Sequence, residues 1–209
     1  MENKISKKIV VIHDGLISNE DPLLVVLRGK FGIDNVLYFK KSDDGLDYVL
    51  NNLHQPIVVI LDMNFSRNEK SGIEVFQEIR EKSALVYIIL ITANEISKIN
   101  NDDLISLINN DAFAVESVSA GYTKIVSLVE SAAHKLDTRV DSALENWIVL
   151  HPESEKNKPY IMTRDGQSYS LNQLLTEIRK QTLLGMEIEK DILMLVIDML
   201  SRGKKSING

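Results

Sequence analysis

The sequence contains no cysteine, no excess of positive charge and no long apolar run. Without cysteine there is no disulfide framework, thiolate metal site or cysteine nucleophile, and we expect a cytoplasmic protein. The longest apolar runs, Val86–Ile91 and Ile192–Ile197, are much shorter than the roughly 20 residues of a membrane helix, so we expect no membrane association. The net charge of −6 makes the chain as a whole unsuited to binding a polyanion such as nucleic acid.

Hydrophobic residues make up 44% of the 209 residues and charged residues 26%, which is typical of a globular chain. This length accommodates two small domains. The apolar rhythm breaks near Pro152 and Pro159, which flank a charged stretch. We therefore predict one domain over residues 1–137, a linker over 138–158, a smaller domain over 159–203 and a tail over 204–209.

Short apolar runs rich in β-branched residues recur through the first predicted domain. Runs without polar alternation are typical of strands buried on both faces of a parallel sheet. Segments with helical spacing separate them, so the pattern predicts an α/β fold with helices on both faces of a doubly wound sheet. The predicted strands are Ile9–Ile12, Val36–Phe39, Ile57–Leu61, Val86–Ile91 and Ala112–Val115.

Polar side chains come at the ends of three of these runs. His13 and Asp14 follow the first run, Asp62 follows the third and Thr92 follows the fourth. With a strand order of 2-1-3-4-5, the first and third strands are neighbours, and Asp14 and Asp62 share one edge of the sheet. Two carboxylates at such an edge form a hard-oxygen site suited to Mg²⁺, and a carboxylate beside the metal can accept a phosphoryl group.

Four segments in this order and spacing resemble the receiver domain of two-component response regulators. The resemblance covers roughly residues 6–137 and implies a flavodoxin-like (βα)5 sheet with strand order 2-1-3-4-5. Members of this family accept a phosphoryl group from a sensor histidine kinase or a phosphotransfer protein. The four segments are Ile9–Asp14, Gln55–Asp62, Ser71–Arg80 and Ile88–Ala93.

The resemblance implies roles for individual residues. Asp62 matches the phosphoacceptor at the end of the third strand. Asp14, the Asp62 carboxylate and the backbone carbonyl of Asn64 match the ligands of Mg²⁺. Thr92, with the small Ala93 beside it, matches the residues that contact the phosphoryl group.

Phe113 matches the aromatic switch residue of receivers, which moves between exposed and buried rotamers on activation, although a plain core aromatic is an equal alternative. Phosphorylation at Asp62 would then shift a two-state equilibrium on the surface around Phe113.

Two positions depart from the receiver pattern. His13 stands where the first member of the acidic pair is expected, and we interpret it as a solvent-facing residue at the strand end. Glu116 stands at the position of the strand-five lysine, followed by Ser117 instead of proline. A carboxylate there would repel a phosphoryl group, unless Glu116 forms an ion pair with a lysine or arginine. The chain is therefore either a receiver that is phosphorylated or a pseudo-receiver fixed in one state.

The C-terminal region has the pattern of a β-hairpin followed by two helices. Alternating residues on both sides of Arg164, Asp165 and Gly166 predict the hairpin, and Ser170 and Gln173 form a capping box that begins a helix. We expect Gly185 to end that helix and a second, broadly apolar helix to span Met186–Leu200. We therefore expect this small domain to be mostly helical.

We interpret the protein as a signal transduction protein in which a receiver domain controls a C-terminal module for protein interaction or dimerisation. Its partner there is a protein or a second copy of the chain, bound through the C-terminal helices. The alternative is a DNA-binding transcriptional regulator with a helix-turn-helix-like output, which the neutral charge of this region disfavours. We predict no enzyme, because the sequence has no Ser-His-Asp spacing, glycine-rich phosphate loop or metal-spaced histidine pair.

Overall fold

The computed structural model describes residues 7–16, 20–66, 68–163 and 166–203. The chain divides into two compact units, the first ending at Asp137 and the second beginning at Thr138. The predicted tail and the hairpin residues Arg164 and Asp165 lie outside the described residues. Within the part of the chain that is described, no helix combines the length and apolar content needed to cross a membrane.

The first unit contains a five-stranded parallel sheet with the order β2-β1-β3-β4-β5. This topology confirms the predicted flavodoxin-like fold. Apolar residues occupy consecutive positions in β1, β3 and β4 because both faces of these strands are covered. The strands are β1 (Lys8–Ile12), β2 (Val36–Phe39), β3 (Ile57–Asp62), β4 (Tyr87–Thr92) and β5 (Ala114–Ser117).

Helices pack on both faces of this sheet and enclose two apolar clusters. One cluster joins the Ile9 and Ile60 side of the sheet to Leu24 and Val129. The other joins the Val10 and Leu61 side to residues such as Phe76. The helices are α1 (Pro22–Phe31), α2 (Ser42–Asn51), α3 (Gly72–Lys82), α4 (Asn101–Asn109) and α5 (Tyr122–Thr138).

Strand β5 lies at the edge of the sheet and begins two residues later than its apolar run predicts. Asp111 has a φ of 54°, and this turn delays the start of the strand. All four residues of β5 are only partly buried. The carboxyl end of β5 is therefore more open than those of β1, β3 and β4.

The second unit contains a two-stranded antiparallel hairpin and several helices. Buried leucines and isoleucines, including Ile148, Leu174 and Ile178, form its small interior. Its elements are α6 (Val140–Val149), α7 (Glu153–Lys156), β6 (Pro159–Met162), β7 (Ser168–Ser170), α8 (Leu171–Arg179) and α9 (Leu183–Gly203).

The stretch 138–158, expected as a linker, instead contains α6 and α7 and belongs to the second unit. Its charged residues are partly responsible for that wrong interpretation. Glu145 is buried and accepts a hydrogen bond of 2.6 Å from Nε of Arg179, and Asp141 is buried in an ion pair with Arg139. Charged residues that form buried pairs hide the helical pattern on which prediction depends.

Gly185 was expected to end a helix, and this is wrong. Helix α8 ends at Arg179, and Gly185 lies inside α9. A Cβ atom at Gly185 would lie 2.4 Å from the carbonyl oxygen of Glu177. The glycine therefore permits close contact between α8 and α9.

Candidate functional site

The carboxyl ends of three adjacent strands carry the polar residues of the candidate site. Asp62 ends β3, Thr92 ends β4, and His13 and Asp14 directly follow β1. Because β1, β3 and β4 are parallel neighbours, these residues lie along the same edge of the sheet.

Asp62 lies at the centre of a compact cluster with His13 and Asp14. Its Oδ1 accepts a hydrogen bond of 3.0 Å from the Asn64 backbone amide, and its Oδ2 lies 3.1 Å from Nδ1 of His13. The same nitrogen is 4.0 Å from Oδ1 of Asp14. One ligand atom from each of the three residues lies within 4.8 Å of the other two, which is close enough for a shared metal ion.

His13 was expected to face solvent, and this is wrong. Its side chain is only 14% exposed and contacts Asp62. The backbone amide of Gly15 donates a hydrogen bond of 3.0 Å to Nδ1. A Cβ atom at Gly15 would lie 3.0 Å from Cε1 of His13, so the glycine allows this close approach. The turn after β1 thus directs the imidazole toward the carboxylate.

The environment of Asp62 raises the pKa of its carboxyl group. Burial is the largest cause, since it disfavours the charged form, and the nearby Asp14 acts in the same direction. Hydrogen bonds from the backbone of Asn64 and Met63 and the proximity of His13 act against this rise. Asp62 is 7% exposed, so few water molecules can solvate its charge.

Helix α3 holds the backbone that follows β3. Ser71 and Glu74 form a capping box at its start, and the Gly72 amide donates a hydrogen bond of 3.1 Å to the Met63 carbonyl. A Cβ atom at Gly72 would lie 2.1 Å from the carbonyl oxygen of Asp62. Only glycine lets the helix approach the phosphoacceptor candidate so closely.

A cavity of about 220 Å³ opens beside the ends of β3 and β4. Thr92 is buried and its Oγ1 accepts a hydrogen bond of 3.1 Å from the Asn94 amide, whereas Ala93 is exposed. Lys98, which the sequence reasoning missed, contributes to the lining, and its exposed ammonium group lies 3.9 Å from a carboxylate oxygen of Glu95. The loop after β4 must return along the same sheet edge, and that geometry is the signal that could have identified Lys98. The lining residues are Met63, Asn64, Thr92, Asn94, Lys98, Ile99, Asn100 and Asp103.

The end of β5 does not join the cluster. Glu116 pairs in register with Ile91 and is partly buried, and its Oε1 accepts a hydrogen bond of 3.0 Å from the Ser117 amide. Phe113 lies just before β5, and its ring centroid is 5.0 Å from that of Tyr87. The ammonium group of Lys135 lies 5.1 Å from the centroid of the Phe113 ring. Phe113 is therefore partly buried.

The second unit contains a larger groove of about 560 Å³ between its hairpin and α9. Apolar residues such as Met162, Tyr169 and Ile192 line it together with the charged Lys190 and Asp191. No group in this groove matches the sheet-edge cluster of the first unit, so the chemistry of the two sites differs.

Comparison with solved structures identifies the fold of the first unit. The N-terminal domain of an uncharacterized protein (WS1339) from Wolinella succinogenes matches with a TM-score of 0.51 and 17% identity, covering 65% of this chain and 100% of that one. A response regulator receiver domain protein (CheY-like) from Methanospirillum hungatei JF-1 matches with a TM-score of 0.53 and 12% identity, covering 65% of this chain and 98% of that one. No family model and no curated protein matches the chain. The first unit therefore has the fold of response regulator receiver domains.

Proposed function

We propose that the protein is a response regulator-like signalling protein in which the first unit accepts a phosphoryl group on Asp62. The phosphorylated receiver would then control an interaction or dimerisation module in the second unit. One observation supports this proposal most strongly. Asp62 ends the central strand β3 in a cluster with His13 and Asp14, at the sheet edge where parallel α/β folds bind their ligands.

In the proposed reaction, a carboxylate oxygen of Asp62 attacks the phosphorus of a phosphohistidine on a partner kinase or phosphotransfer protein. An O–P bond forms, and the P–N bond breaks as the partner nitrogen leaves with the electron pair and takes up a proton. The Asn64 amide orients the attacking carboxylate, and the Thr92 hydroxyl contacts a phosphoryl oxygen, with Ala93 leaving room beside it. Lys98 lines the adjacent cavity, and turning its exposed side chain away from Glu95 would bring positive charge toward the phosphoryl group.

The receiver fold implies a divalent cation, and the donor atoms at the site suit one. The Asp14 and Asp62 carboxylates, which form a cluster with His13, are candidate ligands for Mg²⁺, and the resemblance to receivers adds the Asn64 backbone carbonyl. When bound, such an ion supplies positive charge that offsets the negative charge of the carboxylates and phosphoryl oxygens. The Asn64 amide would hold the Asp62 carboxylate in place at this site.

A pseudo-receiver is the rival within the same fold. The contact of His13 with Asp62 Oδ2 ties up one carboxylate oxygen, and Glu116 places negative charge where receivers carry a lysine. Both features would oppose phosphorylation and fix one state of the first unit. In that case the second unit would act constitutively.

The surface of α9 supports a role of the second unit in protein interaction. Its residues from Leu193 to Leu200 are exposed, and all except Asp198 are apolar. Apolar patches of this kind mark association surfaces. Neighbouring exposed residues Glu187 and Asp191 are acidic, which disfavours contact with nucleic acid phosphates and thus the alternative of a DNA-binding output.

Phosphorylation of the full chain tests the proposal. The chain is incubated with acetyl phosphate and, in parallel runs, Mg²⁺ or Mn²⁺, and intact mass is measured. We expect one added phosphoryl group on the wild type and on Asp102→Asn, an exposed carboxylate of α4, but none on Asp62→Asn. An unmodified wild type with either metal would rule out the phosphorylated receiver and favour the pseudo-receiver.

The same samples test the control of the second unit. Sedimentation velocity is measured with and without beryllofluoride, which mimics the acyl phosphate at Asp62. We expect beryllofluoride to change the association state of the wild type but not that of Asp62→Asn. An association state that is identical under all conditions would contradict phosphorylation-controlled output.

A further inference from the structure

His13 gives the sheet-edge cluster a mixed set of donor atoms. Nδ1 of the imidazole lies 3.1 Å from Oδ2 of Asp62 and 4.0 Å from Oδ1 of Asp14. A site made only of carboxylates offers only hard oxygen ligands, which suit Mg²⁺ and Ca²⁺. An imidazole nitrogen instead suits the divalent ions of the later first-row metals.

We propose that His13, Asp14 and Asp62 form a binding site for a divalent transition-metal ion, with His13 as a ligand, and that this ion binds in preference to Mg²⁺. The inference uses the location of the proposed phosphorylation site but does not need phosphoryl transfer to occur. The nitrogen ligand determines which metal the pocket binds.

Two polar groups lie beside Nδ1 of His13. The Gly15 amide donates a hydrogen bond of 3.0 Å to this nitrogen, so the geometry presents Nδ1 as an acceptor. The nearby Asp62 Oδ2 also carries lone pairs. A cation bound between these two atoms, which lie 3.1 Å apart, would attract both of them.

The spacing of the donor atoms suits one ion. Ligand bonds of about 2.1 Å place adjacent ligands of an octahedral ion about 3 Å apart. The distance from His13 to Asp62 is 3.1 Å, and all three donor atoms lie within 4.8 Å of one another. Small shifts of the more exposed Asp14 side chain, which is 33% exposed, would complete the set.

The first two ligands are already held in place by their neighbours. The Asn64 amide fixes the Asp62 carboxylate, and the Gly15 amide fixes the His13 ring. A metal ion would take the Nδ1 lone pair from the Gly15 amide, exchanging one exposed hydrogen bond for a metal–nitrogen bond. Asp14 is the more exposed side chain of the cluster, so water or a phosphoryl oxygen could reach a bound ion from that side.

The metal preference follows from the donor set. Affinity of a nitrogen-containing site rises from Mn²⁺ through Co²⁺ and Ni²⁺, with Zn²⁺ also bound tightly. Mg²⁺ gains little from an imidazole and loses its water reluctantly. We therefore expect the order Mg²⁺ weakest, Mn²⁺ intermediate, and Co²⁺ and Zn²⁺ strongest.

Metal titration of the full chain tests this proposal without any activity assay. After treatment with a chelator, Co²⁺ is added and its visible absorption is recorded, followed by competition with Zn²⁺, Mn²⁺ and Mg²⁺. We expect one Co²⁺ per chain, displaced by Zn²⁺, and at least about a tenfold weaker affinity for Mg²⁺ than for Co²⁺.

Three variants assign the ligand. We expect His13→Gln to weaken Co²⁺ binding at least about tenfold and to change its absorption, while Mg²⁺ binding changes little. His13→Asp should raise Mg²⁺ affinity and lower the Co²⁺ preference, because it replaces nitrogen with oxygen. His134→Gln, an exposed histidine of α5, should behave as the wild type.

Two results would overturn the proposal: equal affinity of the wild type for Mg²⁺ and Co²⁺, or unchanged Co²⁺ binding in His13→Gln. The first would mean that the cluster does not prefer a transition-metal ion, and the second that His13 is no ligand of Co²⁺. Acetyl phosphate labelling of Asp62 in Mg²⁺ alone is recorded separately. Labelling in Mg²⁺ without Co²⁺ preference would refute the metal inference and leave the proposed function intact.

Discussion

The two units bury their apolar residues to different extents. In the first unit, the central strands β1, β3 and β4 are enclosed between helices, and residues such as Val59 and Ile89 are fully buried. In the second unit, α9 exposes five consecutive apolar residues, Leu193–Ile197, and after Asp198 also Met199 and Leu200. The first unit therefore encloses its central sheet, while the second unit leaves a long apolar surface of α9 exposed.

The tight packing of the first unit can be broken at Gly72. We expect Gly72→Ala to destabilise the first unit by about 3 kcal/mol or more, because the new methyl group would overlap the Asp62 carbonyl, with 2.1 Å between the Cβ and that oxygen. Urea unfolding of the full chain, followed by circular dichroism, measures the change.

Gly29→Ala is the matched control, since a Cβ atom at this position of α1 meets nothing within 4 Å. Alanine in the interior of a helix should stabilise the unit by up to about 1 kcal/mol. Equal stability losses in both glycine variants would show that α3 does not pack closely against the backbone of Asp62.

The small interior of the second unit depends on a buried ion pair. Arg179→Met removes the guanidinium group that pairs with Glu145, whose side chain is 9% exposed. We expect it to lower the free energy of unfolding by about 3 kcal/mol at neutral pH. In the double variant Arg179→Met with Glu145→Leu, both charges are absent and most of this loss should be recovered. Unfolding monitored through Trp147, which lies in α6 of the same unit, reports the change.

The pH dependence of Arg179→Met follows from the carboxyl group left behind. Burial raises the pKa of Glu145, and Arg179 opposes this rise, so removing Arg179 raises the pKa further. The folded state then binds a proton more tightly than the unfolded state does. Stability of the variant should therefore increase as pH falls from the raised pKa toward the ordinary value of glutamate. A loss of stability in Arg179→Met that is the same at every pH would argue against a buried, unpaired Glu145 carboxyl group.

Sequence reasoning predicted the sheet of the first unit and the hairpin and capped helix of the second, but it missed α6 and α7, for a physical reason. Buried parallel strands such as Ile57–Leu61 are nearly pure apolar runs, so their number and order of appearance can be read directly. The pairs Glu145–Arg179 and Asp141–Arg139 place charges inside the second unit, and there composition suggested a linker.

The candidate site shows the same limit on a smaller scale. The positions of Asp62 and Thr92 at strand ends follow from the apolar runs that precede them. The direction of the His13 ring depends on the turn at Gly15, and the position of Lys98 depends on the path of the loop after β4. Contacts made by turns and loops have no periodic pattern, so the sequence gives no direct signal for them.

The exposed surface of α9 can be tested by adding charge. Leu195 and Leu200 are 58% and 68% exposed, so replacing either with glutamate should change the unfolding free energy of the chain by no more than about 0.5 kcal/mol. The same changes should abolish self-association in sedimentation velocity, because a charged group would be buried in the interface. Ile105→Glu, an exposed residue of α4 in the first unit, is the control and should associate as the wild type does. Association that survives both leucine variants would contradict an interface on α9.

The smallest expected effect concerns the open end of β5. Glu116→Lys replaces a partly buried carboxylate of β5 with an ammonium group, at the position that the resemblance to receivers assigns to a lysine. If the longer side chain reaches the pocket, attraction to the phosphoryl oxygens should extend the lifetime of phosphorylated Asp62 about threefold, as expected for a partly exposed ion pair. Glu116→Gln, which removes the charge without adding one, should give an intermediate lifetime. Decay of the phosphorylated mass after removal of acetyl phosphate measures all three proteins. Identical decay of the phosphorylated mass in all three proteins would mean that β5 directs residue 116 away from the phosphoryl group. The charge of Glu116 could then not explain weak or absent phosphorylation of Asp62.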